Sequence, residues 1–105
     1  LITNRDKVLN LLGLAQKAGK ISSGNDLVIS AMKTNKAAIV LLATELSANS
    51  QKEFNYLSEK YEVPVNYDFT EQELSNALGK KRKIIAVLDQ GFKKAIMAKL
   101  EKESD

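Results

Sequence analysis

The sequence predicts an α/β domain in which a four-stranded, parallel or mixed sheet lies between layers of helices. Three observations lead there. Helix-type and strand-type patterns alternate along the whole chain. Residues 37–43 and 84–88 are continuous apolar runs with β-branched members, as in central strands covered on both faces. The length of 105 residues suits one hydrophobic core, so residues 1–105 are expected to form a single domain.

Each element has its own signal. Val8, Leu11, Leu12, Ala15 and Ala18 recur at helical spacing before Gly19, which predicts a first helix over residues 5–18. Residues 20–23 read as a short extended piece. Gly24, Asn25 and Asp26 lead into a second helix with Val28, Ala31 and Met32 on one face, capped by Asn25 or Asp26. After the first apolar run, Ser47, Asn49 and Ser50 precede a third helix carrying Phe54, Leu57 and Tyr61, and residues 63–67 follow as a strand containing Pro64. Thr70 and Glu73 have the spacing of a capping box, so a short helix with Leu74, Ala77 and Leu78 on its apolar side should run to Gly79. A last helix from about Gln90 turns Phe92, Ala95, Ile96 and Leu100 inward, before a charged tail, residues 101–105, that should fray. Burial is expected at Ile39, Leu41, Ile85 and Val87.

The net charge of +3 conceals a segmental pattern. Residues 1–36 hold six Lys/Arg against two acids, residues 45–76 two against seven, and residues 79–105 eight against four. If the basic ends of the chain meet and the acidic middle faces elsewhere, one side attracts a polyanion. There is no Cys and no His, which removes disulfides, Cys/His zinc sites, thiol nucleophiles and imidazole bases. No cofactor is expected. The longest strictly apolar run, residues 37–43, is too short to cross a bilayer, and a cytoplasmic location without membrane contact is expected. Because the chain opens on Leu1, its start carries little targeting information.

The string Leu14-Ala15-Gln16-Lys17-Ala18-Gly19-Lys20, then Ser23-Gly24 and Lys36-Ala37, then Ala43-Thr44-Glu45-Leu46-Ser47, residues 59–65 and Asp89-Gln90-Gly91-Phe92, resembles the L-seven-Ae and L-thirty-e family of ribosomal proteins, whose members bind kink-turn RNA. Within it the chain is most similar to the bacterial YlxQ-type branch. The resemblance spans nearly the whole chain. It implies a three-layer α/β/α sandwich, a mixed sheet, and RNA contact at one end of that sheet by a ribosomal or ribosome-associated protein; separately, nothing in the sequence suggests an obligate dimer, and a monomer is expected.

Independently, ligands of open α/β sheets meet the loops beyond the carboxyl ends of strands, here residues 44–49 and 89–91, with the Gly24 turn expected beside them. Gly24 leaves room for a phosphate backbone at the amides of the second helix, where the helix dipole favours an anion. Lys17 and Lys20 are expected to pair with phosphates around it. The resemblance also makes residues 88–92 a loop that brushes RNA, Gly91 permitting close approach. The expected RNA-contacting residues are Lys17, Lys20, Ser23, Gly24, Asn25, Asp26, Leu27, Glu45, Leu88, Asp89, Gln90 and Gly91. The basic run Lys80-Lys81-Arg82-Lys83 enters a strand, so it is expected at the opposite sheet end, as a solvated turn in preference to a second phosphate contact.

One departure stands out. Kink-turn binders of the family carry Asn or Lys, Glu or Gln, and Lys at the second, third and sixth positions after the turn glycine; Asp26, Leu27 and Ser30 stand there in this chain. A carboxylate, an alkyl chain and a hydroxyl predict weak binding to a standard kink-turn. A competing reading makes the protein a small anion- or Mg²⁺-binding enzyme using Glu45 and Asp89 at neighbouring strand ends. A third makes it a protein-interaction scaffold on the ribosome. With two acids and no base, nucleophile or phosphate loop, a non-enzymatic RNA-binding protein is the expectation.

Overall fold

The structure, a computed structural model, describes residues 1–103. Its elements follow the expected order: α1 Asn4–Lys17, β1 Ile21–Ser23, α2 Asn25–Lys33, β2 Ile39–Leu42, α3 Ala48–Tyr61, β3 Val65–Asn66, α4 Glu71–Leu78, β4 Ile84–Val87 and α5 Gln90–Glu103. Thr3 closes a capping box with Asp6 at α1, Thr70 closes another with Glu73 at α4, and the Ser47 hydroxyl accepts from the Ser50 amide at α3. These side chains satisfy amides that a helix start otherwise leaves open.

Alternation along the strands builds the layers. Val40, Leu42, Ile84 and Ala86 face α2 and α3, where Val28, Met32, Phe54 and Leu57 close one core. Ile39, Leu41, Ile85 and Val87 face the other way, onto Val8 and Leu12 of α1, Leu74 of α4 and Ile96 of α5. All eight strand residues are buried, as a sheet covered on both faces requires. The result is a three-layer α/β/α sandwich.

The sheet is mixed, in the order β1-β4-β2-β3. β4 runs antiparallel to both β1 and β2, with Ser23 opposite Ile85 and Leu42 opposite Ile84, whereas β2 and β3 are parallel. One end of the sheet therefore holds the carboxyl ends of β1, β2 and β3 together with the start of β4. The other end holds the carboxyl end of β4.

Several boundaries differ from expectation. β3 pairs only at Val65 and Asn66, because the Val63 carbonyl accepts the Ser58 hydroxyl and the Asn66 side chain accepts the Asp68 amide in a turn that ends the strand. α1 stops at Lys17, leaving Ala18 exposed ahead of Gly19 at φ 72°. α5 continues to Glu103, past the position where fraying was expected; residues 104–105 lie outside the described residues.

One ion pair ties α1 to α4. The Arg5 guanidinium donates to both Glu73 oxygens, at 2.8 and 2.7 Å, and to the Asp68 carbonyl at 2.6 Å, and it lies 4.6 Å from the centre of the Phe69 ring. The Arg5 guanidinium, and then the Thr70 amide, hold the Glu73 carboxyl down to about 2 against the opposing pull of partial burial. A folded value below the unfolded one stabilises the fold above about pH 4.5, and this contribution is lost as pH falls toward 2. With both side chains about a third exposed, solvent screening leaves about 1 kcal/mol. Glu73→Gln should therefore lose about that much at pH 7 and show a smaller further loss than the parent between pH 4.5 and 2 in urea titrations. Parallel acid limbs in the two proteins would contradict the assignment.

Candidate nucleic-acid interface

β1 ends at Ser23, and the chain turns into α2 at Gly24, whose amide donates to the Ile84 carbonyl at 2.9 Å. Gly24 is the N-cap residue, with φ 96° and ψ 157°, a region essentially reserved for glycine. Neither Asn25 nor Asp26 caps the helix, contrary to expectation. The Asn25 side-chain amide donates to the Asp26 carboxylate at 3.2 Å instead, and among the described residues no side-chain cap takes up the first-turn amides. The other four helices do have such partners, the fourth being Asp89, whose carboxylate accepts from the Phe92 amide at 2.8 Å before α5. Nothing lies within 4 Å of the place a Cβ would occupy on Gly24, so the start of α2 is open.

The basic run lies beside this opening, not at the far end of the sheet. Entry into a strand points to the opposite end only if that strand runs with its neighbours. β4 runs against them, so its start joins the carboxyl ends of β1 and β2: the Ile84 carbonyl meets Gly24, and the Lys83 carbonyl accepts from Ala43. Arg82 fastens the segment down. Its Nε donates to the Ser23 hydroxyl at 2.9 Å, and its backbone amide and carbonyl both bond the Ser75 hydroxyl. Lys80, Lys81 and Lys83 remain exposed. Ser23, Gly24, Asn25, Glu71, Lys81, Arg82 and Lys83 line an open cleft of about 490 Å³.

The acidic middle does not face wholly elsewhere. Glu71 lines the cleft, and Glu45 follows β2 at the same sheet end. The Glu45 carboxylate accepts from the Glu71 amide at 3.0 Å and from the Thr44 hydroxyl at 3.2 Å, and the Glu71 bond is the main cause of its lowered pKa. Its visible role is to hold the β2–α3 turn against the start of α4.

The comparisons with known proteins agree with this architecture. The model of the ribosomal protein L7Ae/L30e/S12e/Gadd45 family matches residues 6–97. An RNA-binding protein YlxQ of Enterococcus faecium is 42% identical, covering 87% of this chain and 88% of that one. Its namesake in Bacillus subtilis is 37% identical over 87% of this chain and 92% of its own length. A solved structure described as a protein with unknown function from Bacillus halodurans C has a TM-score of 0.87 at 30% identity, over 90% of this chain and 97% of that one. A Giardia lamblia 15.5kD RNA binding protein, at 16% identity, shares the fold with a TM-score of 0.75 over 91% and 83%. The chain belongs to the L7Ae/L30e/S12e/Gadd45 family. Within that family it is of YlxQ type.

The residues expected to form one site in this family member fall at two ends of the sheet. Ser23, Gly24, Asn25, Asp26, Leu27 and Glu45 share the end described above. Leu88, Asp89, Gln90 and Gly91 follow the carboxyl end of β4, and the expectation that they lie beside Gly24 is corrected by its antiparallel direction. Lys20 is with them, its carbonyl accepting from the Leu88 amide at 2.8 Å, and Lys17 ends α1 nearby. Lys20 stands one strand away from Gly24, about 10 Å for the three residues of β1. Glu45 and Asp89 are likewise at opposite ends, so they cannot share one Mg²⁺ ion. Leu27 is 63% exposed, and Asp26 and Ser30 are exposed with it. Lys81, Arg82 and Lys83 are the residues of this surface that sequence reasoning missed; the density of charge was visible, but not the direction of β4.

The backbone at Gly24 provides a direct test. Gly24→Ala should lose about 1–3 kcal/mol in urea unfolding through conformational strain alone, since the space for a methyl group is free. A loss below about 0.5 kcal/mol would mean that the turn relaxes to an ordinary conformation.

Proposed function

We propose that this protein binds structured, kink-turn-like RNA, as a ribosomal or ribosome-associated protein, at the sheet end where the start of α2 meets the basic segment 79–83. It acts by binding, not catalysis. The observation that carries this reading is the uncapped, open amide turn at Gly24, hydrogen-bonded to the strand that Lys81, Arg82 and Lys83 lead into. A helix start with free amides favours a phosphate, and adjacent lysines add attraction without demanding a particular base. Family membership and relatives described as RNA-binding proteins support the same reading.

Lys81 and Lys83 are exposed, so their removal should leave the fold intact. The Lys81→Ala, Lys83→Ala double variant should weaken binding to a kink-turn-bearing hairpin. It should also reduce the slope of log K against log salt by about 0.7–0.9 for each phosphate that is no longer neutralised. Filter binding across a salt series measures both. An unchanged slope would place the RNA elsewhere.

The three departures from the kink-turn pattern give a second test. Asp26 repels phosphate, Leu27 cannot hydrogen-bond a base edge and Ser30 lacks a cation, so wild-type binding to a standard kink-turn should be weak. Leu27 and Ser30 are exposed, so replacing them costs the core nothing. Asp26→Asn, Leu27→Glu and Ser30→Lys together should raise affinity by at least about tenfold, each good base contact being worth about 1–3 kcal/mol. No gain in a variant with an unchanged melting temperature would mean that these positions do not read RNA.

A further inference from the structure

The far end of the sheet carries a second concentration of positive charge that the proposed site leaves unused. Lys17 closes α1 and Lys33 closes α2; Lys20 and Lys36 precede β1 and β2; Lys93 and Lys94 lie in the opening turns of α5. Hydrogen bonds fix the arrangement. Leu88 donates to the Lys20 carbonyl, and Ala38 donates to the Val87 carbonyl, so the leads into β1 and β2 flank the exit of β4. Two inter-strand spacings separate them, about 10 Å. None of the six lysines forms an ion pair among the described residues. Asp89, at the exit of β4, caps α5, and Glu59 and Glu62 stand where α3 ends ahead of β3.

A structural role accounts for only part of this charge. Lysines in the last turns of α1 and α2 complement the negative ends of those helices. Lys93 and Lys94 do the reverse, adding positive charge near a helix start that has no acid in its first turn. Lys20 and Lys36 lie outside helices altogether. The acids at this end, Asp89 and, at the close of α3, Glu59 and Glu62, are fewer than the six lysines, so positive charge remains in excess there.

We propose that this far end is a second RNA-binding surface, which grips the phosphate backbone of another RNA segment and lets one molecule bridge two. The idea rests on the RNA-binding reading above but concerns a separate surface. Lysines outnumber the acids on it, so it binds by charge, with strong salt dependence and without base selection. The four residues of β4 hold the two surfaces about 13 Å apart, plus the loops at either end.

The test uses a donor-labelled kink-turn hairpin and an acceptor-labelled plain RNA duplex. Wild-type protein should bring the two together, giving energy transfer that disappears as salt rises. Lys20→Gln, Lys36→Gln, Lys93→Gln and Lys94→Gln combined should abolish the transfer and leave hairpin affinity within about twofold. In the Lys81→Ala, Lys83→Ala background, plain-duplex binding should persist, then fall at least about tenfold when the far-end substitutions are added; thermal melting checks that each variant is folded. Equal duplex binding with and without the far-end lysines would overturn the proposal, even if the hairpin still binds. Unchanged hairpin binding in the Lys81→Ala, Lys83→Ala variant, with duplex binding still dependent on the far end, would instead overturn the first site.

Discussion

The arrangement of this molecule depends on β4, a four-residue strand hydrogen-bonded on both sides and running against both neighbours. Its four side chains are buried alternately in the two cores, so a one-residue slip would exchange Ile85 and Val87 with Ile84 and Ala86 and break both. The register is therefore fixed by packing. With it, the chain entering β4 must lie beside Gly24, and the chain leaving must lie between Lys20 and the lead into β2. The positions of the charged surfaces follow from the core.

The treatment of helix starts separates structural from functional acids and hydroxyls. Thr3, Ser47, Thr70 and Asp89 satisfy their own helices. A cap of this kind contributes about 1 kcal/mol, and α2 forgoes it. The same end of the sheet keeps Lys80, Lys81 and Lys83 exposed while Arg82 is drawn in to bind Ser23 and Ser75. Stability is given up at one turn, and the chemistry left there suits an anion.

Much of the fold was legible in the sequence because burial leaves a periodic trace. The apolar runs at 39–42 and 84–87, the Thr70–Glu73 capping box and the inward faces of α1 and α2 could be read directly. Strand direction leaves no such trace, since an apolar run reads the same whichever neighbour it pairs with. That gap explains why the sequence alone places Lys81 and Lys83 away from Gly24 and residues 88–91 beside it. Gly24 was legible because its backbone requirement excludes other residues. Arg82 was not, because its partners Ser23 and Ser75 are distant in sequence. The weak trace of β3 had a similar cause, its edges being set by Ser58 and Asn66 side chains that bond the backbone.

If RNA is held most tightly where α2 begins and β4 is entered, the backbone amides of that sheet end must respond to it before any others. Backbone amide NMR on the intact chain, titrated with a kink-turn hairpin up to one RNA per protein, measures this residue by residue. The amides of Gly24, Asn25 and Asp26 and of residues 80–83 should shift first and together, ahead of those at residues 88–91. First shifts at residues 88–91, with Gly24 and Lys83 unmoved, would contradict the assignment of the RNA site to this end.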